Sequence, residues 1–411
     1  MESPSVMNLN ALFAVVTLSQ LVGSSFGGVI TCLPESASPP CESCGSAADG
    51  VSADGQIVVG SCAGRAVVWR ADGGLLNLGS LGVGGSFATA VSADGSVIVG
   101  STDSPDGQRA FRWTASTGLV SLGILEGNQW SQALAISGDG ATTVGMSALP
   151  VIWTAFGQCL AVGGLTTSDR IAAISANGSV LVGGFSQQDF PWGSTLLALR
   201  WTVDRGGEAL GLLPGDHGAM ANGVAGDGSV IVGASYRFEG GVWRRQAVVW
   251  DAAGIRRVAT PTWATESELQ GVSASGRVGV GILVNSGESY GVAAVWHEFA
   301  GLVPLRDLLQ AQGADLTGWI LTDANAVSAD GRVVVGTGMY FGRQRAFRAE
   351  IGSFDDAGTA DLNFNGSVDG ADLGIILAGW GEPGRTDLTR DGTTDGADLG
   401  LLLNAWGSCP N

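Results

Sequence analysis

Between residues 48 and 351 one order of apolar and polar positions recurs seven times. Each copy reads as a run of small residues, a Ser-x-Asp-Gly-like turn, an apolar run ending in Gly, and a short run ending in Trp. The turn glycines are Gly55, Gly95, Gly140, Gly178, Gly228, Gly276 and Gly331, about forty to fifty residues apart. In the clearest copy, "ATAVSADGSVIVG", "RAFRWTAS" and "GLVSLGIL" supply four short strands divided by turn residues. "SVIVG" and "QIVVG" are apolar at consecutive positions, which suits a sheet covered on both faces by neighbouring sheets. The pattern predicts an all-β fold over residues 28–351, a seven-bladed β-propeller of four-stranded blades. Trp69, Trp113, Trp153, Trp201, Trp250 and Trp296, at the end of the third strand, are expected to fill the wedges between blades. Asp54, Asp94, Asp139, Asp227 and Asp330 read as turn formers rather than catalytic acids. The last copy stops at "RAFRAEI", with Ala349 in the Trp position and no fourth strand after it. The N-terminal strand "GGVITCL" is expected to complete that blade and close the ring.

In such a blade the second-to-third loop and the link to the next blade share one face. The Asp-Gly turns occupy the other and stay short, whereas the second-to-third loops lengthen from "SCAGR" to "GFSQQDFPWGSTLL" and "ASYRFEGGVWRRQ". Aromatic residues gather in those loops and links: Trp130, Trp192, Tyr236, Trp243, Trp263, Tyr290 and Tyr340, beside Arg237, Arg244 and Arg245. Trp192, Tyr236, Trp243, Trp263 and Tyr290 are candidate contacts for a polysaccharide or protein ligand. The competing reading is that these rings tuck their own long loops onto the propeller.

After a polar linker, residues 352–360, the pattern changes to two related segments. These are "DLNFNGSVDGADLGIILAGWG" from Asp361 and "DLTRDGTTDGADLGLLLNAWG" from Asp387. Each places oxygen-bearing residues at positions 1, 3, 5, 9 and 12 with Gly at 6, the spacing of an EF-hand calcium loop. The first set is Asp361, Asn363, Asn365, Asp369 and Asp372; the second is Asp387, Thr389, Asp391, Asp395 and Asp398. The carbonyls of Ser367 and Thr393 supply position 7. Calcium is a hard cation that takes six to eight oxygens, so two loops in register predict two bound ions. Behind the loops, Leu373, Ile376, Leu377 and Trp380, and Leu399, Leu402, Leu403 and Trp406, repeat at i, i+3, i+4 and i+7. Each set predicts one apolar helix face, the two packing together into a small α-helical domain over 361–409.

Length and charge narrow the remaining options. A chain of 411 residues with 45% hydrophobic and 14% charged side chains can bury a large core. Its formal charge of −18, with arginine as the sole basic residue type, repels phosphate backbones and excludes nucleic-acid binding. Residues 1–27 have the apolar core and small-residue end of a secretory signal peptide, although no arginine precedes Arg65. The chain is therefore expected to be exported, extracellular or at the cell surface, with no membrane span after cleavage. In that setting Cys32, Cys41, Cys44 and Cys62, close together near the mature N-terminus, are expected to form local disulfides. Only His217 and His297 are present, too few for a histidine metal centre and without a recognisable Ser or Cys partner. No catalytic residue is assigned.

The phrases "RAFRW" (Arg109–Trp113), "RQRAFRAE" (Arg343–Glu350) and "GWILTDANAVSADGRVVVGTG" (Gly318–Gly338) resemble the HAF family of bacterial extracellular repeat proteins. That resemblance implies an extracellular repeat body and carries no activity. The duplicated loop-helix plan, with aspartate at position 12, the "GADLG" phrase in both copies and the final "WGSC" resemble the dockerin family. The likeness is greatest to the GC-type dockerin modules of exported planctomycete proteins. It implies a cohesin-like or cell-envelope docking partner, recognised through positions 10 and 11, here Gly370, Ala371, Gly396 and Ala397. Together these readings describe an exported, non-enzymatic binding or scaffold protein, anchored through a calcium-dependent module. The alternative is a carbohydrate-active enzyme, a glycoside hydrolase or lyase, on a propeller with the same tail.

Overall fold

The computed structural model describes residues 28–34, 45–82, 84–155, 157–190, 193–288, 290–298, 300–352, 360–362, 367–382, 386–389 and 392–408, with backbone alone for 187–190, 193–195 and 408. Residues 1–27, Cys41, Cys44, Trp192, Asn363, Asn365, Asp391 and most of the linker lie outside them. No helix among the described residues is long and apolar enough to cross a membrane.

Residues 28–352 form seven four-stranded antiparallel sheets, one per repeat, and are a seven-bladed β-propeller. The first strand of each copy lies innermost and touches the first strands of its neighbours, blade 7 meeting blade 1. Blades 1 to 6 span residues 46–79, 86–123, 132–161, 170–209, 218–257 and 266–304. Blade 7 takes three strands from residues 319–350, and Val29–Cys32 pairs with Arg343–Glu350 as its outer strand. The ring therefore closes with the N-terminal strand, as the truncated last repeat predicts.

Two apolar faces per sheet produce seven hydrophobic clusters, one in each gap between blades. Trp69, Trp153, Trp201, Trp250 and Trp296 are buried in them, and Trp113 is half-buried. Where blade 7 has Ala349, the gap is filled from another direction. Helix α1, Leu305–Ala311, inserts Leu305, Leu308 and Leu309 beside Trp319, Phe347 and Ile351. The residue capping α1, Gln312, accepts the Gly28 N–H on its backbone carbonyl and the Gly352 N–H on its side chain. Both ends of the propeller chain are thus held by one buried residue.

The Ser-x-Asp-Gly turns have a second duty beyond reversing the chain. Within a turn, Ser52 donates to Asp54 at 2.6 Å, Asp54 accepts from Gln56 N–H, and Ser52 accepts from Ile57 N–H. The same set recurs at Ser92, Ser137 and Ser328. Asp94 is held down at about 2, first by the Ser92 hydroxyl and then by the Ser96 amide and hydroxyl, which marks it as a turn carboxylate. The second residue of each turn reaches the neighbouring blade, except in blade 4, where the third, Asn177, is the donor. Ala53 N–H donates to Ala93, Ala93 to Gly138, Gly138 to Ala176, Asn177 to Gly226, Gly226 to Ala274, Ala274 to Ala329, and Ala329 back to Ala53, at 2.8–3.2 Å.

Other repeat residues reinforce the same seams. Arg112 and Arg348, the second arginines of "RAFRW" and "RAFRAE", donate to the Gly140 and Gly55 carbonyls of the following blade's turn. The Ala of the same motif donates its N–H to a Ser at the start of the next inner strand. The pairs are Ala66 to Ser86, Ala110 to Ser131, Ala247 to Ser267 and Ala346 to Ser46. Every inner strand also carries a bulge, so that one residue in each of blades 1 to 6, and Thr322 and Asn325 in blade 7, have no partner in the ladder. The bulge drives a carbonyl at the facing strand, which explains the Gly that ends each apolar run: a Cβ on Gly336 would collide with the Asp323 oxygen.

The bulge residues Thr89, Asn222 and Asn325 donate to the carbonyls of Ala133, Leu269 and Ala48 in the next blade, at 2.8–2.9 Å. Asp49 occupies the same place in blade 1, and as a carboxylate it has no proton to donate. Burial pushes it up to about 6. With the folded value above the ordinary unfolded value of about 3.9, Asp49 contributes fully to stability only below pH ~4, and the contribution is lost as pH rises through 6. The Asp49→Asn variant keeps a donor at all pH. In thermal melts it is expected to exceed the parent by on the order of 2 kcal/mol at pH 7, the difference vanishing below about pH 4. A difference independent of pH would contradict this assignment.

Candidate ligand face and carboxylate loops

The second hairpins of blades 4 and 5 extend well beyond those of the other blades. In blade 5 the paired strands are Ile231–Glu239 and Val242–Asp251. At their tip Trp243 is 53% exposed and Phe238 46%. His217 meets Trp243 edge-on at 6.1 Å, and Phe238 lies 5.3 Å from it. The base of the hairpin is braced by Asp216, which takes Arg237 at 2.9 Å and the Ser235 hydroxyl at 2.7 Å. The His217 ring nitrogen Nδ1 accepts the Phe238 N–H at 3.2 Å. A hairpin tied on one side in this way presents Trp243 from a fixed position.

Polar contacts join this hairpin to blade 6. Arg245 binds Glu268 in a short contact and Glu266 at 3.4 Å, Arg244 lies 3.6 Å from Glu266, and Asn222 donates to Glu268 at 2.8 Å. Arg244 also donates to Ser286, whose amide and hydroxyl reach Thr265. Trp263, in the link between blades 5 and 6, and Tyr290, in the second loop of blade 6, are exposed in the same sector. Trp243, Trp263 and Tyr290 therefore share one face around an arginine–glutamate lattice.

Tyr236 does not belong to that exposed set. It lies inside a strand rather than a loop and is half-buried, and its phenol is pushed up to about 12, first by burial and then by the neighbouring Glu268 charge. Tyr236 and Phe238 share one face of the strand, and they differ in depth: Tyr236 lies beside Glu268 and Arg245 toward the base of the hairpin, while Phe238, nearer the tip, is exposed. Tyr340 likewise stacks 4.8 Å from buried Trp319, so for these two rings the loop-tucking reading holds.

In the tail, helix α2 is Gly370–Ala378 and helix α3 is Gly396–Asn404. Each starts with a reciprocal capping box, Asp369 with Asp372 and Asp395 with Asp398. The position-12 carboxylates are fully buried. Asp372 accepts Leu362 N–H at 2.7 Å and Asp369 N–H at 2.9 Å. Asp398 accepts Thr389 N–H at 2.8 Å and Asp395 N–H at 2.7 Å. Burial alone would raise Asp398, and the amide donors outweigh it to hold the carboxyl below its ordinary range. Asp361 and Asp387, at position 1, are also buried. Ser367 pairs with Ser408 in a two-stranded ribbon that joins the first loop to the end of the module.

Among the described residues no three His, Cys, Asp or Glu side chains form a metal cluster, and Asn363, Asn365 and Asp391 lie outside them. The fit to a cation rests instead on chemistry. Asp361, Asp372, Asp387 and Asp398, at positions 1 and 12 of the two loops, are buried carboxylates of the oxygen-donor kind that calcium takes, and Arg385 and Arg390 of the same module lie outside the described residues.

The helix faces depart from the expected stripe. Ile376 and Leu402 are buried against Ala360, Leu362, Val368 and Leu388, whereas Leu377, Trp380, Leu403 and Trp406 are 47–54% exposed. Two short helices cover only the centre of a stripe this wide, and its i+4 and i+7 positions remain in solvent. Gly370, Ala371, Gly396 and Ala397 are exposed in the first turns of α2 and α3.

No protein-family model matches the chain, and no curated protein does. Solved structures do. Oligogalacturonate lyase from Vibrio parahaemolyticus is 11% identical, over 78% of this chain and 93% of its own, with a TM-score of 0.52. The β-propeller domain of the Trilobed protease from Pyrococcus furiosus is 11% identical over 74% and 93%, with a TM-score of 0.47. TolB from Acinetobacter baumannii is 14% identical over 62% of this chain, with a TM-score of 0.40, and the chain spans 61% of TolB. What this chain shares with the Vibrio lyase is its fold.

Proposed function

We propose that the chain is an exported, non-enzymatic binding or scaffold protein, extracellular or at the cell surface. Its propeller presents one face to a polysaccharide or protein ligand, and its tail docks through calcium. The observation that carries the reading is the sector around Trp243, where exposed rings on braced loops surround arginines. The nearest carboxylates support binding over catalysis. Glu266 and Glu268 of that sector are engaged by Arg244 and Arg245, an arrangement that suits a braced binding surface.

In the tail, Asp361, Asn363, Asn365, Ser367, Asp369 and Asp372 would hold one calcium ion, and Asp387, Thr389, Asp391, Thr393, Asp395 and Asp398 a second. Bound calcium would neutralise the buried carboxylates and tie each loop to its helix. Exposed Gly370, Ala371, Gly396 and Ala397, with Leu377, Trp380, Leu403 and Trp406, would then meet a cohesin-like or envelope partner.

Two measurements test the reading. Calorimetry of the full chain is expected to find two calcium ions, with Asp361→Ala and Asp387→Ala each removing one; unchanged uptake in both variants would contradict the assignment. Tryptophan fluorescence is expected to change on titration with soluble envelope polysaccharide or with a protein captured by the propeller. Trp243→Ala should weaken that binding by about tenfold or more, the loss expected for an aromatic anchor worth on the order of 2 kcal/mol.

A further inference from the structure

The blade 6–7 quarter of the ligand face holds a groove of about 590 Å3 that the sequence patterns do not mark. It is lined by Arg306 and Gln310 from α1, the 314–318 loop, and Trp319 and Ile320 at the start of blade 7. Phe341, at the tip of the blade 7 hairpin, packs against one of the lining residues, Gly318. A Cβ on Gly318 would strike the Phe341 ring, and the Phe341 N–H donates to the Gly318 carbonyl at 2.9 Å.

Phe341 is the informative residue. It is 68% exposed and has φ +47°, a left-handed turn position that Asn or Gly adopts with less strain. A phenylalanine there costs on the order of 1 kcal/mol in backbone strain and hides little apolar surface in return. Its ring is nonetheless braced edge-on against Tyr340 at 4.7 Å, which itself lies 4.8 Å from buried Trp319. A strained, exposed and braced ring beside a groove is better explained by a ligand than by folding.

The lining states the chemistry. Guanidinium, carboxamide, carboxylate and hydroxyl groups of Arg306, Gln310, Asp315 and Thr317 alternate donors and acceptors, and the Arg306 and Asp315 charges cancel. A polyanion gains nothing there against a chain of net charge −18. An open groove with Trp319 in its lining and the exposed Phe341 ring at its edge, against Gly318, suits an extended ligand that has apolar C–H faces and many hydroxyls. We propose that the α1–blade 7 groove, with Phe341 as its platform, binds a neutral sugar chain. The proposal rests on the reading that this face of the propeller binds ligands, and it names the ligand class and a second place of contact.

The test is calorimetry of the full chain with β-1,4-linked glucose, xylose and mannose hexamers, and with hexagalacturonate as the charged control. At least one neutral hexamer is expected to bind, and hexagalacturonate to bind at least tenfold more weakly. Phe341→Asn should leave the melting temperature unchanged or raised, because it relieves the turn, while weakening the neutral hexamer tenfold or more; Arg306→Ala should also weaken it. No binding of any neutral hexamer, tighter binding of hexagalacturonate, or full binding by Phe341→Asn would overturn the proposal. If Trp243→Ala abolishes binding while Phe341→Asn and Arg306→Ala do not, the groove assignment falls and the wider reading of the face stands.

Discussion

Seven blades with two apolar faces each can be stable only if every face meets another, and the ring of amide-to-carbonyl bonds between the turns secures this register. One bond of that kind contributes about 1 kcal/mol. Its importance lies in closure, because the bond from Ala329 to Ala53 joins the last repeat to the first. The serine–aspartate contacts inside the turns of blades 1, 2, 3 and 7 position the donor. The arginine, alanine and bulge-residue contacts repeat the connection at other levels along the seam.

This division of labour also decides where ligands can be met. The turn face is committed to inter-blade bonds and cannot lengthen its loops without breaking them. The opposite face carries no comparable ring, so the hairpins of blades 4 and 5 extend there and helix α1 is inserted there. Rings on that face are braced by ion pairs or stacked on buried partners, which limits the ordering entropy a ligand must overcome. The tail solves a separate problem: too small to cover its own helices, it leaves matching leucines and tryptophans in solvent.

Much of the fold is legible in the chain because propeller physics is repetitive. The seven turn glycines mark the blades, and Ala349 in place of Trp, with no strand following, points to the N-terminal strand that completes blade 7. The purpose of several motif residues is not legible one blade at a time. Arg112, Ala110 and the bulge residue Thr89 act on the next blade, and local spacing carries no trace of that partner. The site is only partly readable for a related reason. Trp243, Trp263 and Tyr290 are exposed as expected, whereas Tyr236 is half-buried because the strand continues into a segment that reads as loop and sets it beside Glu268 and Arg245 at the seam with blade 6. Phe341 escapes notice in sequence because its significance is conformational, although a Phe-Gly pair where a tight hairpin favours Asn-Gly is the signal that marks it.

The central claim is a latched propeller that offers a ligand face and a distinct module that responds to calcium. Hydrogen–deuterium exchange of the full chain, with and without calcium, tests it most directly. The account predicts that calcium slows exchange in peptides from residues 361–408 and leaves the inner strands and turns of all seven blades unchanged. Slowed exchange throughout the blades, or none in the tail, would contradict it.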